Sequence, residues 1–76
     1  MKVPVFIEKC EDGYSALMEY CEKFNIGLSG SGETIEKAIS DFLRVLDDMK
    51  RFYKNEGMVF PSDLEFDFRY QVATVS

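Results

Sequence analysis

The chain has 76 residues, of which 46% are apolar and 30% charged, and it contains no histidine. A chain of this length forms one domain with a small core, because it buries only about 60–65% of the surface that its unfolded state exposes. Fourteen acidic against nine basic residues give a net charge of −5, which argues against direct nucleic-acid binding. An acidic surface favours a basic protein as partner, although a modest negative charge also serves solubility alone.

The N terminus and the cysteines indicate the compartment. Met1 leads directly into a short apolar run that ends at Glu8, unlike a signal peptide, and no stretch approaches the roughly 20 apolar residues of a membrane span. Cys10 and Cys21 alone do not make a disulfide framework, and a zinc site is not expected without histidine or a CxxC motif. We therefore expect a cytoplasmic protein with reduced thiols and with no metal, cofactor or membrane partner.

The first predicted elements form a β-hairpin. Residues 2–8 alternate, with Val3, Val5 and Ile7 on one face, and Pro4 lies near the start of the strand, where its missing N–H does least harm. Asp12-Gly13 suits a tight turn. The second strand is predicted over residues 14–20, and its inward face is Tyr14, Ala16, Met18 and Tyr20.

A shorter apolar alternation follows the hairpin. It predicts a third strand over residues 24–28, and the glycine-rich run 27–32 after it is expected to break regular structure. A glycine-rich loop before a helix is the setting of many phosphate sites, but the spacing matches neither GxxxxGK[ST] nor GxGxxG. We expect no nucleotide site there.

The clearest element is a helix predicted over residues 34–56. Thr34 is the expected N-cap and Gly57 the expected C′ residue. Apolar residues recur at spacings of four and three, which makes a face broad enough to lie across a sheet; they are Ile35, Ile39, Phe42, Leu46, Met49 and Tyr53.

The opposite helix face carries three basic residues seven apart, Lys37, Arg44 and Arg51. They could be interpreted as a basic stripe for a polyanion. Acidic residues stand three or four positions from several of them, so a solvated face of intrahelical ion pairs is the favoured interpretation.

A last strand is predicted over residues 64–72, where apolar and polar residues alternate strictly. The expected fold is α+β in the order β-β-β-α-β, with one mostly antiparallel four-stranded sheet and a single long helix on one face. The whole chain, 1–76, is expected to be one domain. The pattern leaves the strand order open, but the length of the helical connection permits a parallel pairing of the last strand.

One sheet face is left without a helix, and it supplies the candidate binding residues. Phe6 and Leu17 have the opposite parity to the inward positions, so they are expected to face outward. The outward side of the last strand carries Glu65, Asp67 and Arg69. We therefore predict a surface for self-association, as a homodimer or larger homo-oligomer, or for a protein partner.

Catalytic patterns are scarce. Without histidine there is no Ser-His or Cys-His pair. Glu65 and Asp67 could be drawn as an acid–base or metal pair, but a solvated strand face is favoured. We expect no catalytic residues, and a small enzyme is the least favoured of three hypotheses, after a partner-binding domain and an oligomeric regulatory or accessory protein with an unknown partner.

Three short motifs resemble the HicB-like antitoxins. They are VFIEK at residues 5–9, EDGYSA at residues 11–16 and GETIEKAI at residues 32–39. The family pattern is a first strand, a D-G-Y hairpin, and a G-x-T turn into a helix, and the likeness spans about residues 3–72. The resemblance implies a degraded ribonuclease-H-like domain without nuclease activity.

What the resemblance implies for function is an antitoxin that binds and neutralises a small basic ribonuclease toxin of the HicA type. Family members usually carry a C-terminal DNA-binding module, which these 76 residues do not include. An isolated N-terminal domain and a stand-alone form are both compatible with that. The HicB-like proteins are dimers or larger, in line with the self-association expected from the sheet.

Overall fold

The computed structural model describes residues 2–18, 27–61 and 64–70. In chain order they form β1 (Lys2–Cys10), β2 (Gly13–Met18), β3 (Ser29–Gly32), α1 (Ile35–Asn55) and β4 (Glu65–Tyr70). The strands make one sheet in the order β3-β2-β1-β4. Pairings β1–β2 and β2–β3 are antiparallel, and β1–β4 is parallel. The predicted α+β fold, with one helix packed against a mostly antiparallel sheet, is confirmed.

The hairpin lies where the sequence predicts it. Cys10 pairs with Gly13, so Glu11 and Asp12 form a two-residue turn. Strand β1 continues two residues beyond the predicted end, and β2 begins one residue early. Residues 19 and 20 of the predicted second strand lie outside the described residues.

A third strand is present, but it lies later in the chain than the sequence indicates. Strand β3 occupies Ser29–Gly32, inside the run expected to break regular structure, and Gly27 and Leu28 precede it. Residues 24–26 lie outside the described residues. An ideal Cβ on Gly30 would come 2.7 Å from Phe42 Cα, and one on Gly32 would come 2.7 Å from Ala38 N. The glycines therefore allow α1 to lie directly on the β3 backbone, and this packing outweighs their low strand propensity.

Helix α1 begins and ends as the sequence predicts. The Thr34 side chain accepts a hydrogen bond from Lys37 N at 3.1 Å. At the other end Gly57 has φ +70°, Gly57 N donates to Lys54 O, and Met58 N donates to Tyr53 O. These are the two hydrogen bonds of a Schellman motif, which ends the helix and satisfies its last carbonyls.

The core lies between α1 and the sheet and is wholly apolar in the described part of the chain. Phe42 is fully buried and makes edge contacts with Phe66 and Phe68 of β4, with ring centroids 5.5 Å apart in each pair. Met49 packs against the edge of the core. Phe42 thus packs against the last strand, and the helix lies across the sheet as its broad apolar face predicts. The buried residues are Val3, Val5, Ile7, Ala16, Leu28, Ala38, Phe42 and Leu46.

Candidate protein-binding face

The sheet has one face that no described element covers, which we call the open face. Val3, Val5 and Ile7 of β1 are buried in the core, so the alternate β1 side chains point the other way. The strand registers then define the open face across the sheet. It comprises Lys2, Pro4, Phe6, Glu8 and Cys10 of β1, Ser15 and Leu17 of β2, Ser29 and Ser31 of β3, and Glu65, Asp67 and Arg69 of β4.

The centre of the open face is apolar. Phe6 lies directly opposite Leu17 in the β1–β2 pair. Leu17 is 41% exposed, and both Phe6 and its neighbour Pro4 are half-buried. Since these side chains are on the two central strands, the apolar patch occupies the middle of the face rather than its edge.

Charged side chains border that patch along β1 and β4, and serines border it on β3. Arg69 stands beside Phe6 in the β1–β4 register, and its Nε donates to Asp67 Oδ2 at 2.8 Å. Glu65 lies beside Lys2 in the same register, and Glu8 is exposed next to Ser15. An apolar centre within a polar rim is the usual anatomy of a protein–protein interface.

All five candidate residues from the sequence lie on the open face. Leu17, Phe6 and Arg69 form one row across β2, β1 and β4, and Asp67 and Glu65 follow along β4. The structure thus brings together residues that are up to 63 positions apart. Their role in binding stays a prediction.

The groups considered for catalysis do not converge. Asp67 forms an ion pair with Arg69. The described residues contain no group of three or more metal-ligating side chains. The exposed Cys10 Sγ is 3.2 Å from Ser15 Oγ, a contact that supplies no base to activate the thiol.

The three spaced basic residues of α1 are all paired. Lys37 Nζ is 3.6 Å from Glu33 Oε2, and Arg51 Nη2 is 2.9 Å from Asp47 Oδ2. Arg44 bonds Asp41 at 2.7 Å and Asp48 at 3.5 Å. Glu33 precedes the helix, and the other pairs lie within it, so the predicted solvated, ion-paired face is confirmed.

One polar contact, at the outer edge of β3, is not predicted by any pattern in the sequence. Ser31 N donates to Asp41 Oδ2 at 3.0 Å. The helix side chain thus satisfies a backbone amide that points away from the sheet. Arg44 hydrogen-bonds the same carboxylate and, together with the Ser31 amide, lowers the pKa of Asp41, while Asp41 raises the pKa of Arg44. The spacing of Asp41 and Arg44 predicts their own pairing, but the contact with β3 depends on the glycine-mediated approach of the helix.

No family model, curated protein or solved structure matches this chain. In the described part of the chain, the one helix is too polar to cross a bilayer. The open face and the short motifs quoted above are therefore the features that bear on function.

Proposed function

We propose that this chain is a non-catalytic protein-binding domain of the cytoplasm that acts as an antitoxin, binding and neutralising a small basic ribonuclease of the HicA type. The observation that carries the proposal is the open face, where Phe6 and Leu17 form an apolar centre within a charged rim. The nature of the partner comes from the HicB-like motifs and from the charge of the chain.

The shape of the open face favours a protein as ligand. The face is a sheet surface rather than a deep pocket, and a small molecule would bury little of its own area on it. Exposed apolar side chains clustered inside a polar rim favour a macromolecular partner, since they gain most when a second surface excludes water from them.

The charge distribution favours a basic partner. The chain carries −5 net. The open face carries three acidic residues, Glu8, Glu65 and Asp67, and two basic residues, Lys2 and Arg69. Asp67 and Arg69 neutralise each other, and among the described ion pairs none uses Glu8 or Glu65. Those two carboxylates are thus available to a cationic partner, whose approach the negative field of the whole chain would accelerate.

Two observations test the proposal in sequence. The gene beside the one that encodes this chain should encode a short basic protein with a double-stranded-RNA-binding-like fold; a neighbourhood without such a gene would contradict the antitoxin role. Titration of that ribonuclease with this chain should then abolish RNA cleavage at a 1:1 ratio of chains. Full cleavage at a several-fold excess of this chain would contradict the proposal.

A further inference from the structure

The two edges of the sheet differ in how they are protected. Strand β3 has four residues, and the outward amide of Ser31 is capped by Asp41. Strand β4 has six residues, and no described strand pairs with its outer side. An uncapped edge strand presents unpaired N–H and C=O groups to a further strand. Among the described strands, β4 is therefore the edge that is open to strand addition.

The sequence of β4 is complementary to itself in one register. Antiparallel pairing of two identical strands about a two-fold axis places a residue opposite its own copy. An axis at Phe68 puts Asp67 of each chain opposite Arg69 of the other, on the open face. On the helix face it puts Phe66 opposite Tyr70. Opposite charges and aromatic pairs across strands are both stabilising.

The neighbouring registers each place like charges opposite each other. An axis at Phe66 would place Glu65 opposite Asp67 of the second copy. An axis at Asp67 would pair Glu65 with Arg69 on both sides, but it would also place the two Asp67 carboxylates opposite each other. An axis at Arg69 would oppose two guanidinium groups. Like charges directly opposite are destabilising, so of these four registers only the axis at Phe68 pairs opposite charges without opposing like ones.

The helix side of β4 can accept the second copy. Phe66 is only half-buried, and it lines a cleft of about 340 Å³ together with Lys50, Phe60, Pro61 and Leu64. Tyr70 is 45% exposed. The register at Phe68 places Tyr70 of the second copy next to Phe66 at this cleft, so pairing of the edges also covers apolar surface that the single chain leaves exposed.

We propose that two copies of this chain associate through antiparallel pairing of their β4 edges about a two-fold axis at Phe68, which joins the two sheets into one sheet of eight strands. Both helices then lie on one side, and the two open faces form a continuous surface on the other. This inference does not depend on the proposed toxin binding, because it rests on the β4 edge alone.

Charge reversal on β4 tests the register. Asp67→Arg gives a strand with two bases, and Arg69→Asp gives a strand with two acids. Each variant alone should dimerise at least about tenfold more weakly than the wild type, because both cross-strand ion pairs become repulsive. An equimolar mixture should form a heterodimer with affinity near that of the wild type, since opposite charges face each other again. Sedimentation equilibrium at about tens of micromolar measures the dimer affinity of the wild type, of each variant and of the mixture.

Several outcomes would overturn the proposal. They are a wild-type chain that sediments as a single species of 8.8 kDa, a charge variant that dimerises as well as the wild type, and a mixture that stays monomeric. Circular dichroism checks that the variants are folded. If either variant fails to fold, Asp67→Lys and Arg69→Glu provide a second pair of charge reversals. Leu17→Glu, on β2, should leave the dimer intact. If this variant is monomeric while the charge variants are still dimeric, the two copies associate through the open face instead.

Discussion

At the scale of single residues, two leucines of α1 separate packing from exposure. Leu46 is 7% exposed and belongs to the core, whereas Leu43 is 46% exposed on the same helix. We expect Leu46→Ala to lower the free energy of unfolding by about 2–5 kcal/mol, since it removes buried methyl groups and leaves a cavity. Leu43→Ala should change it by less than about 0.5 kcal/mol. Urea denaturation measures both, and equal losses for the two variants would show that the helix face is misassigned.

Gly30 shows how strongly a single missing side chain shapes the molecule. A Cβ at Gly30 would lie 2.7 Å from Phe42 Cα and 2.9 Å from Ala38 O, and both are backbone atoms that cannot move aside alone. Gly30→Ala should therefore destabilise the fold by about 1–3 kcal/mol. A Cβ built on Gly27 would have no atom within 4 Å, so Gly27→Ala is the matched control. It should be neutral or stabilising by up to about 1 kcal/mol, because alanine restricts the unfolded chain. Thermal melts that rank the two variants the other way would contradict this account of β3.

At the scale of elements, α1 both covers the sheet and protects one of its edges. Asp41 caps the Ser31 amide of β3, and Arg44 holds the carboxylate in place. The cap is polar and exposed, so its contribution depends on the charge of Asp41. Because the folded state lowers the pKa of this group, the contribution is complete above the ordinary pKa of an aspartate and is lost as the pH falls through the folded value.

Asp41→Asn should reveal this pH dependence. The variant keeps an oxygen that can accept from Ser31 N but loses the charge, so we expect it to be less stable than the wild type near neutral pH. The difference should be smaller at an acidic pH below the ordinary pKa of an aspartate than at neutral pH, because protonation removes the charge from the wild-type group. Urea midpoints at both pH values measure it. A difference that stays constant with pH would mean that the charge of Asp41 contributes nothing.

The elements with strong periodicity could be predicted from the sequence, and the one built on glycine could not. The helix was predicted to within one residue at each end because the Thr34 cap, the apolar spacing and Gly57 all agree. The third strand was expected at residues 24–28 because Ser29–Gly32 has no apolar side chains of its own. Its conformation is set by pairing with β2 and by contact with α1, which no local pattern encodes.

The candidate site was predictable in its membership but not in its arrangement. Strict alternation in β1 and β4 placed Phe6 and Arg69 on outward faces. Which of them are neighbours depends on the strand order, and the parallel β1–β4 pair was only one of the pairings that the sequence permits. The row Leu17–Phe6–Arg69 is therefore visible only in the structure.

At the scale of the whole molecule, the two faces of the sheet have different tasks in this account. The face under α1 carries the apolar core, while the open face keeps Phe6 and Leu17 in contact with water. A single helix covers only one side of a sheet, so a second protein is the natural cover for the other. Pairing at β4 leaves this open face accessible, which makes dimerisation and partner binding compatible.

The central claim, that the open face binds a small basic ribonuclease, is tested most directly by calorimetric titration of that ribonuclease with three forms of this chain. Leu17→Glu changes the open face, and Leu43→Glu makes the same change at a leucine of similar exposure on the helix layer. We expect Leu17→Glu to weaken binding at least about tenfold and Leu43→Glu to change it less than about twofold. The account would be contradicted if Leu17→Glu bound the ribonuclease with wild-type affinity, or if Leu43→Glu weakened binding as much as Leu17→Glu does.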